Sequence, residues 1–501
     1  MNKIKLVLVL ILCLGILPVH AQNKNNLPKR EFRGAWIHII NNQFLGKSNE
    51  EVKRSLIAQL DALQEANINA VIFQVRAEGD AFYKSKYEPW SRYLTGVQGL
   101  APVDNFDPLE FMVTETHKRG MELHAWINPY RAVMNISKPI SPDHYYFKYP
   151  ERFIAYGNQV FFDPSLPVNR EHICTIVKDI VTRYDIDAIH MDDYFYPYPK
   201  GGMEFDDAMG YARFGRGYKS KEDWRRDNVN ILIKSLHEVI HETKPWVRFG
   251  VSPFGIYRNE NSDPFGSRTN GLQNYDDLYA DVILWVNKGW VDYNIPQVYW
   301  HVGHPVADYG VLVDWWAKHS SNRPLYIGQS IPNTIQNADP HNANSNQLPL
   351  KMKIQRSYQS IGGSSQWPAV DLVANKGLYK DALSGYFHKS IALPPTYSFI
   401  DNNAPKAVRK LKKLWTIDSY MLFWTEPKSK NPMDDAKMYV IYQFEKGEKI
   451  DLENPANIVK VTSNKFYKLP YVNGYDKYTY IVTALDRVNN ESKAKKIKVR
   501  L

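Results

Sequence analysis

From about residue 32 the chain alternates short apolar runs with amphipathic stretches, the two periodicities that separate strands from helices. Apolar runs at 32–40, 70–75, 122–127, 188–191, 247–251, 293–298, 325–327 and 364–367 read as strands. Helical patterning falls at 50–66, 108–118, 168–184, 223–242, 275–286, 306–318, 354–360 and 378–387. Eight strand–helix pairs in this order predict the α/β class and a (β/α)₈ TIM barrel with long loops. A doubly wound open sheet is the competing architecture, but no glycine-rich phosphate loop follows the first strand. Pro394-Pro395 closes the region, giving a barrel domain over 28–395. From 404 the rhythm changes to short strands, for example at 420–424, 438–442 and 478–485, with turn signals between them. Residues 404–501 therefore read as a small all-β sandwich of seven strands.

The first residues bear on where the protein works. Lys3 and Lys5 precede an apolar run at 6–17, which stops at Pro18 and is followed by Val19-His20-Ala21. This is the pattern of a secretory signal peptide over 1–21, too short for a permanent membrane span. The expectation is an exported protein, periplasmic or secreted, with no transmembrane span. Cys13 leaves with the signal, so Cys174 remains alone and no intramolecular disulfide is expected. Cys174 lies in a helical pattern and reads as packing.

Composition adds less. The formal charge of +10 falls to +8 without Lys3 and Lys5, an excess that favours acidic polymers such as envelope glycans. Taken over the whole chain it reads as spread, not clustered, and nucleic acid is not an expected partner. Aromatic residues make up 13% of the chain, and many stand beside strand ends, where flat rings can stack on sugars. Others fill the core. No cofactor motif is present in the sequence, and nothing in it fixes an oligomeric state.

In such a barrel the residues just past the strand C-termini share one mouth. Strand two runs out through Gln74 and Arg76 to Glu78 and Asp80, strand three through Trp126 and Asn128 to Arg131. Strand four gives His190-Met191-Asp192-Asp193-Tyr194-Phe195-Tyr196, strand five Ser252 to Arg258, and strand six Gln297-Val298-Tyr299-Trp300. Five strands ending in polar and aromatic residues on one side point to a ligand site. Glycoside hydrolysis needs a protonated acid near the leaving oxygen and a carboxylate near the anomeric carbon, or a substrate amide in its place. Asp192 and Asp193 are the candidate catalytic acids, with Glu78 and Asp80 across the mouth. Side chains alternate along a strand, so one of the adjacent pair is expected to face substrate and the other to cap a helix or hold an arginine. Trp36, Arg76, Asp80, Asn128, Arg131, Tyr194, Tyr196, Ser252, Arg258, Gln297, Tyr299 and Trp300 are the candidate substrate-binding residues.

Six segments carry a family resemblance. They are Glu31-Phe32-Arg33-Gly34-Ala35-Trp36, the stretch from Gln74 to Asp80, Trp126-Ile127-Asn128-Pro129-Tyr130-Arg131, His190 to Pro197, Ser252-Pro253-Phe254-Gly255 and Pro296-Gln297-Val298-Tyr299-Trp300. Together, over 28–395, they resemble the glycosyl hydrolase-like family 10 proteins, exported bacterial barrel proteins, many of which have a fibronectin-like tail. The resemblance implies a (β/α)₈ barrel, glycosidase activity without a cofactor, and a polysaccharide partner, best matched by peptidoglycan glycan strands stripped of stem peptides. Leu422-Phe423-Trp424, Tyr439 to Tyr442 and Thr483 to Arg487 with Asn490-Glu491-Ser492 resemble a fibronectin type III domain.

The family 10 xylanase mechanism does not transfer, because strand four ends in Asp192-Asp193 and strand seven in Gly328-Gln329-Ser330, which has no carboxylate. A fainter likeness to family 18 chitinases matches Asp192 to one of their spaced acids but puts Tyr194 at the catalytic Glu position. Two other classes stay open. His38, His124, His190, Asp192 and His301 lie on strands or their ends, as in a metal-dependent deacetylase or amidohydrolase, although strand one lacks an H-x-H pair. The same mouth in a non-catalytic protein would hold glycan without cutting it.

Overall fold

The computed structural model describes residues 27–320 and 322–501; the signal peptide expected over 1–21, with Cys13, lies outside the described residues. Eight parallel strands close a barrel in sequential order. They are β1 (Phe32–Ile37), β2 (Ala70–Arg76), β3 (Glu122–Ile127), β4 (Ala188–Met191), β5 (Arg248–Val251), β6 (Tyr293–Asn294), β7 (Leu325–Ser330) and β8 (Ile361–Trp367). The main outer helices are α1 (Asn49–Glu65), α2 (Pro108–Lys118), α3 (Pro167–Arg183), α4 (Lys221–Thr243), α5 (Val282–Lys288), α6 (Tyr309–His319), α7 (Leu348–Arg356) and α8 (Ala369–Val373). Local chemistry sets their starts. Ser48 and Glu51 form a capping box on α1, and Asp107 caps α2 ahead of Pro108 in its first turn.

The barrel interior is aromatic and tightly fitted. Phe32 and Tyr326 stack with centroids 4.1 Å apart, and the Tyr293 hydroxyl meets Nδ1 of His124 at 2.9 Å and of His190 at 3.1 Å. A Cβ at Gly250 would lie 1.9 Å from the Tyr293 ring, so β5 carries a glycine where that ring crosses the bore. Tyr397 and Val488, from beyond the barrel, join this cluster at the strands' N-terminal end.

Several elements depart from the sequence expectation. The strand expected at 293–298 shortens to Tyr293–Asn294, and the helix expected at 275–286 splits into Asn274–Asp277 and α5. The break has a local cause: Tyr279 takes φ 53, and the Asp281 side chain then caps α5 by accepting from Leu284 N. The helix expected at 354–360 lies earlier, as α7, with a proline in its first turn. The segment between β3 and α3 also folds a small antiparallel sheet, in which Gln159–Phe162 pairs with both Arg131–Val133 and Phe153–Tyr156.

The C-terminal region has seven strands in two antiparallel sheets. They are β9 (Arg409–Trp415), β10 (Tyr420–Thr425), β11 (Met438–Glu445), β12 (Ile458–Thr462), β13 (Phe466–Lys468), β14 (Lys477–Leu485) and β15 (Lys495–Arg500). One sheet runs β9-β10-β13 and the other β12-β11-β14-β15. Leu422, Trp424, Tyr439, Ile441, Tyr480 and Val482 form the core of this region. The four-stranded sheet docks under the barrel, where a Cβ on Gly120 would meet the Val461 carbonyl at 2.3 Å and Thr462 Oγ1 donates to the Lys118 carbonyl. No helix among the described residues is long and apolar enough to cross a membrane.

Candidate active site

A cavity of about 450 Å³ opens at the C-terminal ends of the strands. Of the residues singled out from sequence, Trp36, Arg131, Asp192, Asp193, Tyr194, Ser252, Gln297 and Tyr299 line it. Trp126 and Trp367 add indoles in an edge-to-face pair with centroids 6.0 Å apart, and Gln74, Gln159 and Tyr198 add polar groups.

Both aspartates reach the cavity, contrary to the alternation expected of a strand. β4 ends at Met191, so Asp192 and Asp193 lie in the turn beyond it, where the two-residue period no longer holds. Asp192 Oδ2 accepts from Trp126 Nε1 at 3.0 Å. Its Oδ1 accepts from Asn128 Nδ2 at 3.2 Å and from Tyr194 N at 3.3 Å. Burial, and then the charge of Asp193, push the Asp192 carboxyl up to about 7, against the opposing pull of Arg131 and Trp126. Burial also raises Asp193, while the Tyr198 hydroxyl, which donates to its Oδ2, and Gln297 favour its charged form. Neither acid forms an ion pair among the described residues.

Arg131 Cζ lies 4.2 Å above the Tyr194 ring. The guanidinium donates to the Ala77 carbonyl, while its buried Nε has no hydrogen-bond partner among the described residues. Asn128 lies just behind the wall, accepting from Arg131 N at 2.9 Å and donating to Asp192, so it orients both. Ser252 Oγ is buried without a hydrogen-bond partner among the described residues, and Gln297 Nε2 donates to the Ser252 carbonyl at 2.9 Å.

The remaining sequence candidates lie outside this cavity, each with local partners. Arg76 is fully buried, paired with Glu88 through Nη2–Oε1 at 2.6 Å and Nε–Oε2 at 2.7 Å. Asp80 is buried, accepts from Gln98 at 2.9 Å, and is pushed up to about 8 by burial and by Glu78. Tyr196 turns inward against Phe205 and Tyr279. Arg258 is paired with Asp263 and Asp276, and Trp300 packs edge-on against Phe254. Tyr198 was not singled out from sequence. Its signal was the Tyr194-Phe195-Tyr196-Pro197-Tyr198 run, in which the first and last tyrosines face the cavity.

The strand histidines do not converge on Asp192. His124 and His190 share the Tyr293 hydroxyl, His38 packs on Trp367, and His301 lies beside His304. Among the described residues the group with metal-ligand spacing is His237, His241 and Asp292, away from the cavity.

A larger hollow of about 920 Å³ adjoins the cavity, the two sharing Ile40 and Met134. Asn41, Asn42, Tyr93, Gln98, Asn135 and Asn158 line it, together with Glu78 and Arg92, whose side chains pair at 3.2 Å. The mouth is therefore a cleft, deep at the two aspartates and open towards the loops after β1, β2 and β3.

Residues 31–344 match the family described as Glycosyl hydrolase-like 10. Glycosyl hydrolase YngK of Bacillus subtilis (strain 168) is 41% identical over 477 residues, covering 93% of each chain. Glycosyl hydrolase DigH of Escherichia coli (strain K12) is 41% identical over 289 residues, 55% of this chain and 65% of that one. Among solved structures, the PgaB (BpsB) glycoside hydrolase domain from Bordetella bronchiseptica superposes with a TM-score of 0.48 at 13% identity, over 72% of this chain and 100% of that one. With the family match running over 31–344, more than half of the chain, this chain belongs to the glycosyl hydrolase-like 10 family.

Proposed function

We propose that this protein is an exported glycoside hydrolase that cleaves the peptide-free glycan strands of bacterial peptidoglycan. The observation that carries the reading is the adjacent pair of buried carboxylates, unpaired with any cation among the described residues, one of them pushed up to about 7 at the bottom of an aromatic cleft. A carboxyl at about 7 is still substantially protonated at neutral pH and can donate to a leaving oxygen. Asp192 is assigned as this acid. Trp36, Trp126, Tyr194, Tyr299 and Trp367 supply stacking faces for sugar rings, and the adjoining hollow suits a polymer better than a monosaccharide.

Asp192 and Asp193 are the acids among the residues lining the cavity, and they are neighbours in the turn after β4. A nucleophile on the opposite face of the sugar is then the substrate's own N-acetyl oxygen, which attacks the anomeric carbon as Asp192 passes its proton to the departing glycosidic oxygen. Asp193, whose charged form Tyr198 and Gln297 favour against its burial, orients the acetamido N–H and balances the positive charge that develops on the ring. Water then opens the cyclic intermediate, returning a proton to Asp192. This route makes the amino sugar a requirement. Residues 28–395 form the catalytic domain in this reading, and 404–501 a fibronectin type III-like module, supported by its sheets of three and four strands. Residues 1–21 direct export.

The test is mass-spectrometric product analysis on peptide-free glycan strands and on the same strands after chemical de-N-acetylation, with xylan and an α-glucan alongside. The expected result is short amino-sugar oligomers from the acetylated strands alone. Equal cleavage of the de-N-acetylated strands would refute substrate assistance. Glycan binding with no products from any polymer would favour a non-catalytic carbohydrate-binding barrel.

A further inference from the structure

The positive charge of this chain is not spread, as it reads on a first pass along the whole chain. Residues 404–501 hold 20 Lys and Arg against 11 Asp and Glu, a net +9 of the total +10, so residues 1–403 carry +1. The small sandwich is strongly basic, and the barrel above it is close to neutral.

Part of this charge is gathered in one place. A hollow of about 410 Å³ on the sandwich is lined by Lys413, Lys446, Lys477, Lys498 and Arg500, with Gly447, Tyr478, Thr479 and Val499. All five cations are exposed, no carboxylate is among the lining residues, and none of the five is ion-paired among the described residues. They come from four places in the chain: β9, the turn after β11, β14 and the edge strand β15. Lys413 Nζ donates to the Lys498 carbonyl at 2.7 Å, tying the edge of one sheet to the edge of the other beneath the hollow.

The strand register sets like charges side by side. Lys477 and Arg500 are direct cross-strand partners, as are Thr479 and Lys498. Like charges placed opposite each other on neighbouring strands destabilise a sheet unless an anion lies between them. Alternate residues of β15 face one way, so Lys498 and Arg500 stand about 7 Å apart along the strand. Lysines on an edge strand also guard it against pairing with other chains. That role does not call for cations from an inner strand and a turn converging on the same hollow.

We infer that this hollow is a second polysaccharide-binding site, which takes an acidic glycan bearing carboxylates at regular intervals. The sandwich packs against the N-terminal end of the barrel, away from the cleft, so the site holds the enzyme on its polymer and does not position the bond to be cut. It rests on the function proposed above for the identity of that polymer: peptide-free peptidoglycan strands carry a lactyl carboxylate on alternate sugars.

The experiment measures binding by the full chain carrying Asp192→Asn to peptide-free strands, to the same strands with their carboxylates amidated, and to phosphatidylglycerol vesicles. It compares Lys446→Ala/Lys498→Ala/Arg500→Ala with the charge-keeping Lys446→Arg/Lys498→Arg/Arg500→Lys. The expected result is about tenfold weaker binding of native strands by the alanine variant at low salt, with the gap closing as salt screens the charges. Amidated strands bind both proteins equally weakly, and the charge-keeping variant binds like the parent. Equal binding of native and amidated strands, undiminished binding by the alanine variant, or tighter binding to the vesicles would each overturn the proposal. The two readings fail separately. Cleavage of a neutral amino-sugar oligomer by the protein with Asp192 intact reports on the barrel alone, and the alanine substitutions are expected to leave it unchanged.

Discussion

The two ends of the barrel bury carboxylates to a similar depth and treat them in opposite ways. At the N-terminal end, Glu122 accepts from Arg248 and from Asn489 of the sandwich, both at 2.9 Å, and meets His124 at 3.1 Å. Burial alone would raise it, but Arg248 and His124 hold it well below the usual carboxylate range. Asp187 is likewise enclosed, by His117 at 2.9 Å, by Leu123 N at 2.8 Å and by Lys437 from the sandwich. At the C-terminal end, Asp192 has a comparable burial and a neighbour of its own sign, and its carboxyl rises to about 7. Paired charge fastens the sandwich to the barrel, and frustrated charge raises a carboxyl at the mouth. Barrel enzymes divide labour between their two faces in this way.

The largest expected effect follows from the frustrated end. On the proposed mechanism Asp192→Asn removes the proton donor, and turnover is expected to fall by about 10²- to 10⁴-fold with glycan affinity retained, as steady-state rates and direct binding would show. At the paired end the effect moves to stability. Arg248→Met leaves Glu122 buried without its main partner and costs about 3–5 kcal/mol, read as a lowered denaturation midpoint with unchanged rate per folded molecule. A large loss of rate without a loss of stability in that variant would break the division between the two ends.

Much of this was legible in the sequence, and the parts that were not have a common cause. The bounds of α2, β3 and β4 agree with the expected residues, because each is a local pattern with its own punctuation: Asp107-Pro108 opens α2, and apolar runs bounded by polar residues make the two strands. The sheet formed by Arg131–Val133, Phe153–Tyr156 and Gln159–Phe162 left no such trace, since it depends on pairings between short segments of mixed polarity. The site divides along the same line. That Asp192, Asp193, Tyr194, Gln297 and Tyr299 share a mouth follows from strand order. That Arg76 is claimed by Glu88, and Arg258 by Asp263 and Asp276, depends on where loops return, which periodicity does not reveal.

The pH dependence of stability sharpens the comparison, because the two ends carry opposite signs. A carboxyl raised on folding binds its proton more tightly folded than unfolded. Asp192 therefore costs nothing below about pH 4 and progressively more as pH climbs towards 7. Glu122, depressed on folding, contributes stability above about pH 4 that is lost as pH falls below it. Asp192→Asn is expected to melt above the wild type at pH 8 and level with it at pH 4, whereas Glu122→Gln melts below it at pH 8, the gap narrowing in acid. Melting curves across that range check both signs. The smallest effect is expected from Tyr198→Phe. It deletes the hydroxyl that stabilises charged Asp193 and lowers kcat by about tenfold with little change in KM, measured on the same strands.

The most direct test of the account is the pH profile of kcat/KM on peptide-free glycan strands for the wild type beside Asp192→Asn. With Asp192 as the proton donor, the wild-type rate falls as pH rises through about 7, where Asp192 loses its proton, and the variant binds the strands but shows no such limb. A variant that keeps the wild-type rate and the same alkaline limb would contradict that assignment, and would place the proton donor elsewhere in the cleft.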